Sequence, residues 1–310
     1  MPAPGSKAPA ISTEWENLAT ALAANPVSPG GSKVYVAGEC DSGKTTLCLF
    51  LAARLASTSA VGYVDCDPGQ STLGPPGTAG LTLTSEAGEG HPDPYLRYVG
   101  GTSPAGHSLQ LLVCVGRLAA KAAELGARWI VLDSCGFVEG VRGREFQFQM
   151  IDLLQPDHIV ALRGNRDLER LLRNFSRRPG LDIRWVHPSP LRTPRGPQER
   201  REYRRKRLGR YFQAAEPAEI PLSGVGLHGL LPDLNRPETY RSREIAFCDR
   251  ENWLLGLGIL LGINARKRSL SCLAPPFPRE RLASIQFGTL RLGPGGEELP
   301  GGAQAAHSLS

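Results

Sequence analysis

The sequence predicts an α/β protein in which helices cover both faces of a parallel sheet, followed by a small β-rich C-terminal domain. The first part of this prediction rests on short apolar segments that recur along the chain with helical patterns between them. The second part rests on a change after residue 214, where short apolar runs are separated by Gly and Pro. A chain of 310 residues can form one large domain or two of ordinary size.

Each element of the first part has its own sequence signal. Thr13 and Glu16 have the spacing of a capping box at the start of a short amphipathic helix. Apolar runs predict strands over residues 33–37, 61–65, 129–133, 158–162 and 183–187. Helical periodicity predicts helices over residues 46–56, 109–125, 146–154 and 168–175.

Composition suggests where the domains begin and end. Residues 1–11 and 294–310 are expected to be disordered, the latter because Gly, Ala, Ser and Pro dominate it. Between them we expect a first domain over residues 12–213, which ends in an arginine-rich segment at about 188–212. A small β-rich domain is expected over residues 214–293. Its strand candidates are the apolar runs at 244–248, 253–263 and 284–292.

Charge and cysteine content limit the possible classes of protein. The net charge is +6 and the pI is about 9.0, which favours an anionic partner. The seven cysteines are odd in number and form no C-x-x-C pair, which argues for a reducing compartment and against a disulfide framework or zinc site. Residues 253–263 are too short an apolar run to span a bilayer, and residues 1–10 lack the apolar core of a signal peptide. We therefore expect a soluble, cytoplasmic protein without a membrane partner.

The most specific signal is the octapeptide Gly-Glu-Cys-Asp-Ser-Gly-Lys-Thr at residues 38–45. It matches the phosphate-binding pattern G-x-x-x-x-G-K-[ST] and lies between a predicted strand and a predicted helix, as that pattern requires. Lys44 would reach the β- and γ-phosphates, and the Thr45 hydroxyl would ligate Mg²⁺. The sequence therefore predicts a nucleoside triphosphate site on a sheet of the P-loop NTPase type. Its candidate residues are Gly38, Asp41, Ser42, Gly43, Lys44, Thr45 and Thr46, with Arg163 as a candidate adenine contact.

Carboxylates end two of the predicted strands. Asp65 and Asp67 alternate at the end of one strand, Gln70 follows after a Pro-Gly turn, and Asp133 ends another strand. Ligands of parallel sheets bind beyond the carboxyl ends of the strands, and phosphoryl transfer uses a carboxylate near Mg²⁺ and another group that orients the acceptor. An Asp-Pro-Gly sequence also forms ordinary turns. Spacing alone leaves open whether Asp67 or Asp133 is the acid nearest the metal.

Two further segments have both a functional and an ordinary interpretation. Residues 192–210 contain nine basic and two acidic residues, and four arginines that recur every third residue are expected on one helical face. Such a face is often merely solvated, but it could also close over a γ-phosphate or bind a polynucleotide backbone. Residues 100–107 form a loop of small residues in which a serine could simply cap the next helix. The four arginines are Arg201, Arg204, Arg207 and Arg210.

Taken in order, these segments resemble the polynucleotide 5′-hydroxyl kinase family. Members of this family include the kinase subunit of the eukaryotic pre-mRNA cleavage factor, the nucleolar pre-rRNA processing kinase and archaeal RNA kinases. The resemblance covers residues 12–212 well and the C-terminal part loosely. Only the phosphate-binding loop is specific by itself. The other matching segments are Asp65-x-Asp-x-Gly-Gln70, Gly101-Thr-Ser-Pro104, Asp133-Ser-x-Gly136 and the arginine-rich segment that ends in Tyr211-Phe212.

The resemblance implies roles for particular residues. Asp67 resembles the residue that serves the family as general base for the 5′-hydroxyl group, and Gln70 lies near it in the sequence. Thr102 and Ser103 lie in a loop similar to the clasp of the family, which restrains substrate or phosphates. The remaining matches are Arg204 and Arg207 as lid arginines on the transferring phosphate, and Phe137 where several members stack a tryptophan on the terminal base. Asp65 and Asp133 are metal-side candidates from their strand-end positions alone.

The resemblance implies an ATP-dependent, Mg²⁺-dependent kinase that phosphorylates the 5′-hydroxyl end of RNA, DNA or both. A first alternative is a catalytically inactive ATP-binding scaffold of an RNA-processing complex. A second alternative is a nucleotide-hydrolysing switch of the same fold class, although no Asn-Lys-x-Asp guanine-reading motif occurs in the chain. The separate N-terminal domain of the eukaryotic members has no counterpart here, so their partner docking is not expected of this chain.

Overall fold

The computed structural model describes residues 12–84, 93–189 and 195–299. The expected disordered N-terminus and the residues from 300 onward lie outside the described residues. The chain divides into two compact units. The first unit comprises Met1–Cys66, Leu81–Asp93 and Gly116–Arg195, and the second comprises Asp67–Gly80, Pro94–Val115 and Gly196–Ser310.

The described residues form thirteen strands and seven α-helices. The strands are β1 (Ser32–Ala37), β2 (Val61–Asp65), β3 (Thr78–Thr84), β4 (Tyr95–Tyr98), β5 (Trp129–Asp133), β6 (His158–Leu162), β7 (Asp182–Val186), β8 (Glu216–Pro221), β9 (Gly226–Gly229), β10 (Arg243–Cys248), β11 (Leu254–Asn264), β12 (Ser269–Ala274) and β13 (Ser284–Arg291). The α-helices are α1 (Thr13–Ala23), α2 (Lys44–Ala56), α3 (Ser108–Glu124), α4 (Gly140–Leu154), α5 (Arg166–Leu172), α6 (Pro197–Tyr211) and α7 (Pro237–Tyr240). Two short 3₁₀ helices span Phe212–Ala214 and Arg279–Arg281.

The first unit contains a parallel sheet flanked by helices, as the sequence predicts. Strand β1 lies between β5 and β6, β2 pairs with β5, and β7 pairs with β6, all in parallel. Every residue of β2, β5 and β6 is buried, which explains why these strands appear in the sequence as continuous apolar runs. Helix α2 packs on β1, β2 and β5. The predicted P-loop type of α/β fold is therefore confirmed.

The structure corrects the predicted start of two helices. The N-cap of α1 is Ser12 rather than Thr13, because Ser12 Oγ accepts a hydrogen bond from the backbone N–H of Trp15 at 3.3 Å. Helix α4 begins at Gly140, six residues before the predicted start, since Val141 is the only apolar side chain in those six residues and they show no apolar periodicity. Strands β3 and β4 were not predicted at all.

The second unit contains a six-stranded sheet in the order β8-β12-β11-β10-β13-β9. Its neighbours are antiparallel except for β13 and β9. The three predicted apolar runs correspond to β10, β11 and β13, which lie together in the sheet. One core cluster joins Tyr98 of β4 and Leu208 and Phe212 at the end of α6 to buried residues of β10 and β11. The arginine-rich helix thus shares a core with the C-terminal sheet.

The C-terminal segment is described as far as Leu299. Residues 294–299, which the sequence assigns to a disordered tail, form part of the second unit: Leu292 and Glu298 make an isolated antiparallel bridge. A Cβ on Gly296 would lie 2.7 Å from the backbone of Leu208 in α6, so this segment packs directly on that helix. Within the described parts of the chain, no helix is both long and apolar enough to cross a membrane.

Candidate functional site

The loop between β1 and α2 has the backbone conformation that anion binding requires. Asp41 and Gly43 have φ angles of 56° and 94°, in the left-handed region, and Gly43 is the N-cap of α2. A Cβ on Gly38 would lie 2.7 Å from Ser42 Oγ, so the loop closes tightly on its first residue. Successive left-handed and right-handed residues turn backbone N–H groups toward one side, where the positive end of the α2 dipole also lies.

The polar side chains of this loop are held at its centre. Lys44 is buried, and its Nζ donates a hydrogen bond to the Glu39 carbonyl oxygen at 2.7 Å. Ser42 Oγ is buried and has no hydrogen-bond partner among the described residues. Thr45 and Thr46 lie half-buried in the first turn of α2. A buried ammonium and an unsatisfied hydroxyl group beside a helix N-terminus are a site that an anion would complete.

Asp65 and Asp133 lie opposite each other at the carboxyl ends of β2 and β5. Both are buried, and the hydroxyl of Tyr63 donates to Asp133 Oδ2 at 3.0 Å. Burial raises the pKa of the Cys48 thiol in α2, and the negative charge of Asp133 raises this pKa further. Strand β5, which ends at Asp133, packs on α2.

The oxygen donors of this region suit Mg²⁺. Asp65, Asp133 and the Thr45 hydroxyl supply carboxylate and hydroxyl oxygens, the ligand chemistry that Mg²⁺ prefers. Among the described residues no cluster of three or more His, Cys, Asp or Glu could hold a metal by itself. Mg²⁺ commonly binds through one or two protein ligands, water and substrate phosphates, so this donor set fits it.

A buried glutamine that the sequence analysis missed holds the loop after β5. Gln147 of α4 donates from Nε2 to the carbonyl oxygens of Cys135 at 3.1 Å and Phe137 at 3.2 Å. Its Oε1 accepts from the hydroxyl of Tyr35 at 2.6 Å. A Cβ on Gly136 would lie 2.5 Å from Cys40, so this loop lies directly on the phosphate-binding loop. The signal in the sequence was an amide side chain on the otherwise apolar, buried face of α4.

Phe137 and Arg163 lie at the surface of the first unit. Phe137 is half-buried, and its ring centroid is 6.0 Å from that of Phe146. Arg163 is exposed, and its backbone N–H donates to the Val186 carbonyl oxygen at 2.9 Å. Both side chains are therefore at least partly accessible to solvent.

In the second unit, Asp67 organises the turn that follows β2. Its Oδ1 accepts hydrogen bonds from the backbone N–H groups of Gly69 at 2.9 Å and Gln70 at 3.0 Å. A Cβ on Gly69 would lie 2.5 Å from the Thr102 carbonyl oxygen, so the turn packs against the loop that holds Thr102 and Ser103. The structure thus brings together the predicted base and the predicted clasp.

The four arginines of α6 do not share one face, contrary to expectation. Arg204 and Arg207 are half-buried, whereas Arg201 and Arg210 are exposed. A step of three residues falls short of the 3.6-residue helical turn, so successive arginines rotate around the helix. Only Arg204 and Arg207 face the rest of the second unit. The spacing therefore does not single out Arg204 and Arg207, whereas the resemblance names these two.

The two half-buried arginines have different partners. Arg204 forms a bidentate ion pair with Glu298. Arg207 donates to the carbonyl oxygens of Thr72 at 3.1 Å and Gly74 at 2.7 Å, just after the Asp67 turn. The Tyr203 hydroxyl donates to the Ser71 carbonyl oxygen at 3.0 Å. Helix α6 is thus attached to the segment that follows Asp67.

The predicted site residues fall into two groups. The phosphate-loop residues, Asp65, Asp133, Phe137 and Arg163 belong to the first unit, and the remaining candidates belong to the second. A parallel sheet with this loop after its central strand β1 defines a P-loop nucleotide-binding protein. Residues 38–214 match the family model described as mRNA cleavage and polyadenylation factor CLP1 P-loop, and the chain belongs to this family.

Curated relatives cover most of the chain. The polyribonucleotide 5′-hydroxyl-kinase of Methanocaldococcus jannaschii is 26% identical over 324 aligned positions, which cover 86% of this chain and 89% of the relative. The polyribonucleotide 5′-hydroxyl-kinase of Pyrococcus abyssi is 25% identical, with 86% and 90% covered. The resemblance to the polynucleotide 5′-hydroxyl kinase family is therefore confirmed.

Solved structures agree with the fold. The wild-type Clp1p–Pcf11p complex superimposes with a TM-score of 0.70 at 15% identity and covers 92% of this chain and 80% of the matched chain. A second structure, which describes an extended interface between Pcf11p and Clp1p, gives a TM-score of 0.69 at 16% identity, with 90% and 79% covered. At these identities the similarity concerns the fold alone.

Proposed function

We propose that this protein is an ATP-dependent polynucleotide 5′-hydroxyl kinase, which transfers the γ-phosphate of ATP to the 5′-hydroxyl end of RNA, DNA or both. The observation that carries this proposal is an intact phosphate-binding loop, with Lys44 buried at its centre, in a chain whose kinase relatives align over 86% of its length. The relatives named as polyribonucleotide kinases favour RNA as the acceptor.

ATP is assigned to the first unit. Its phosphates bind the backbone N–H groups of the loop and the ammonium of Lys44, and the unsatisfied Ser42 hydroxyl supports this assignment. Thr45, Asp65 and Asp133 would hold Mg²⁺, which neutralises phosphate charge when it is bound. The full set assigned to ATP is Gly38, Asp41, Ser42, Gly43, Lys44, Thr45, Thr46 and Arg163.

The acceptor hydroxyl is assigned to Asp67. The carboxylate takes the proton of the 5′-hydroxyl group, the hydroxyl oxygen forms a bond to the γ-phosphorus, and ADP leaves with the bridging oxygen. The two backbone N–H groups on Asp67 Oδ1 support this role, because they fix the orientation of the carboxylate. The polynucleotide is assigned to Gln70, Thr102, Ser103 and Phe137.

Arg204 and Arg207, together with Lys44, are assigned to the charge that develops during transfer. Guanidinium groups stabilise equatorial phosphate oxygens in related reactions. Their attachment to the segment after Asp67 and to Glu298 supports this assignment, because a restrained guanidinium loses little entropy when it binds phosphate.

We also propose that the protein works in the cytoplasm. All seven cysteines lie within the described residues, none of them is in a disulfide, and six are buried. A protein of an oxidising compartment commonly uses its cysteines in disulfides, so this arrangement favours a reducing one.

A transfer assay tests the proposed function. Purified protein is incubated with [γ-³²P]ATP, Mg²⁺ and matched RNA or DNA oligonucleotides that end in a 5′-hydroxyl group, with 5′-phosphorylated oligonucleotides as the control. We expect label on the 5′-hydroxyl oligonucleotides alone. ATP binding without transfer would favour the scaffold, and ADP release without any acceptor would favour the hydrolysing switch.

A further inference from the structure

His107 occupies an unusual position at the base of the loop that holds Thr102 and Ser103. It directly precedes α3, and its ring Nδ1 lies 3.3 Å from the Ser103 carbonyl oxygen. Its Nε2 lies 3.1 Å from the hydroxyl of Thr289, a residue of β13. The imidazole therefore connects the predicted clasp loop to the C-terminal sheet.

Thr289 holds the same loop at a second point. Its backbone N–H donates to the Gly100 carbonyl oxygen at 2.8 Å, and its hydroxyl lies 3.1 Å from that oxygen. These groups are 189 residues apart in the sequence. Strand β13 thus holds Gly100 through Thr289, and His107 holds Ser103.

Close contacts leave the loop little room to shift. Gly100 has a φ of 91°, which favours glycine, and a Cβ on Gly101 would overlap the His107 ring. A Cβ on Gly288, next to Thr289, would lie 2.8 Å from the Gly100 carbonyl oxygen. Because the Thr102 carbonyl oxygen in turn contacts Gly69, the position of the loop is tied to that of the Asp67 turn.

We propose that His107 and Thr289 are positioning residues for the acceptor strand: they hold the loop at residues 100–103 so that Thr102 and Ser103 meet the polynucleotide. This inference rests on the proposed function and gives the C-terminal sheet a part in acceptor binding. Neither residue is assigned to the reacting atoms.

The neutral imidazole satisfies this arrangement. Burial lowers the pKa of His107, although the hydrogen bond to the Ser103 carbonyl opposes that effect. We assign the proton to Nδ1, which donates to Ser103, and the Thr289 hydroxyl then donates to Nε2. The Gly100 carbonyl oxygen keeps the backbone N–H of Thr289 as its donor.

Two matched pairs of variants test the proposal. Thr289→Val removes the hydroxyl at constant shape and keeps the backbone bond to Gly100, whereas Thr289→Ser restores a hydroxyl. His107→Leu removes both ring contacts, whereas His107→Asn keeps a donor for the Ser103 carbonyl. For each variant, KM for a 5′-hydroxyl RNA oligonucleotide, KM for ATP, kcat and Tm are measured.

We expect Thr289→Val and His107→Leu to raise the acceptor KM about three- to tenfold, the ratio that one lost hydrogen bond produces. The KM for ATP should stay within about twofold of the wild-type value, because neither residue is assigned to ATP binding. Thr289→Ser should be close to wild type, and His107→Asn should fall between Leu and wild type. An unchanged acceptor KM in both Thr289→Val and His107→Leu would overturn the proposal. A fall in Tm without a selective rise of the acceptor KM over the KM for ATP would also overturn it.

The wild-type protein separates this inference from the proposed function. If it transfers no phosphate, the proposed function fails, and the loop is then tested by fluorescence anisotropy with a labelled 5′-hydroxyl oligonucleotide. Weaker binding by Thr289→Val, with recovery in Thr289→Ser, would support the positioning role without any transfer. Equal binding by wild type and Thr289→Val would overturn it.

Discussion

The two compact units hold their candidate residues in different ways. In the first unit, the phosphate-binding loop is shaped by consecutive residues, and Asp65 and Asp133 stand at the ends of neighbouring strands. In the second unit, the candidates lie on three separate segments that are joined by contacts between distant residues, such as that of the Arg207 side chain with the Thr72 carbonyl oxygen. The first arrangement depends on local backbone geometry, and the second depends on tertiary contacts.

This difference has a consequence for mutations. A change in the phosphate-binding loop of the first unit should act through ATP, because that loop is preformed by the local sequence. A change in the second unit should act through the acceptor or through turnover, and its effect should also depend on the partner of the altered side chain. The following variants examine that division, from the largest expected effect to the smallest.

Lys44→Ala should abolish transfer and remove the rise in Tm that ATP and Mg²⁺ produce in the wild-type protein. Its Tm without ATP should change little, because the side chain serves phosphate rather than the core. Lys33→Ala is the matched control, since the Nζ of Lys33 also donates to a carbonyl oxygen, that of Leu154 at 3.0 Å, in the same unit. Transfer at the wild-type rate by Lys44→Ala would exclude the phosphate-loop assignment.

Asp67→Asn should reduce kcat by about 10²–10⁴-fold, the range for loss of a general base. The amide oxygen can still accept from Gly69 and Gln70, so the turn and the Tm shift with ATP should persist. Asp133→Asn provides the comparison from the first unit. If Asp133→Asn is the more damaging variant and Asp67→Asn is nearly normal, the assignment is reversed: Asp133 is the base and Asp67 is the acid on the metal side.

Arg204→Ala and Arg207→Ala should each lower kcat more than they weaken ATP binding. Single arginine fingers contribute about 10³–10⁵-fold, and two that share the task should each contribute less. Glu298→Gln is the control for Arg204, because it removes the ion pair but keeps the guanidinium. If Glu298→Gln reproduces the loss seen in Arg204→Ala, the role of Arg204 is to hold the C-terminal segment.

A separate outcome would change the interpretation of the whole helix. If both arginine variants keep normal kcat but show a weaker salt dependence of oligonucleotide binding, α6 binds the polynucleotide backbone. Arg201→Ala is the matched control for this measurement, since Arg201 lies on the same helix but is exposed to solvent.

Phe137→Ala should weaken acceptor binding by about 1–3 kcal/mol if the ring stacks on the first base. A core role predicts instead a loss of about 3–5 kcal/mol in stability. The half-buried ring beside Phe146 favours the first result. Phe137→Trp should keep or tighten acceptor binding, and a large fall in Tm for both variants with an unchanged acceptor KM would contradict stacking.

Glu244→Gln should change only the pH dependence of stability. Burial raises the pKa of Glu244 from 4.5 to about 8, while a hydrogen bond from Tyr98 opposes this and the charge of Glu298 adds to it. A raised folded-state pKa means that the stability from protonation is complete below about pH 4.5 and is lost as the pH rises through about 8. Wild-type Tm should therefore fall over this range.

The glutamine variant remains neutral, so its Tm should vary less between about pH 4.5 and pH 8, the interval between the unfolded and folded pKa values of Glu244. At pH 9 it should exceed the wild-type Tm by at least about 2 °C. Equal slopes for the two proteins would show that Glu244 is already ionised in the folded state or does not affect stability.

Much of the first unit could be predicted from sequence. Three strands, at residues 61–65, 129–133 and 158–162, have the predicted bounds, because a strand buried on both faces is a continuous apolar run. The start of α4 could not be predicted in this way. Its first turn lacks apolar periodicity, and the backbone N–H of Gly140 donates to the side chain of Asp167, which lies 27 residues away.

The sequence by itself determined the phosphate-binding loop, the parallel sheet and the identity of the strand-end carboxylates. Each of these depends on residues that are close together in the chain, whose glycines, apolar runs and acids directly constrain the backbone. Only the tertiary structure decided that Arg204 and Arg207 face the unit, that Gln147 supports the loop after β5, and that Thr289 holds Gly100. These contacts join groups that are distant in sequence, and packing selects them because no local backbone preference encodes the partner.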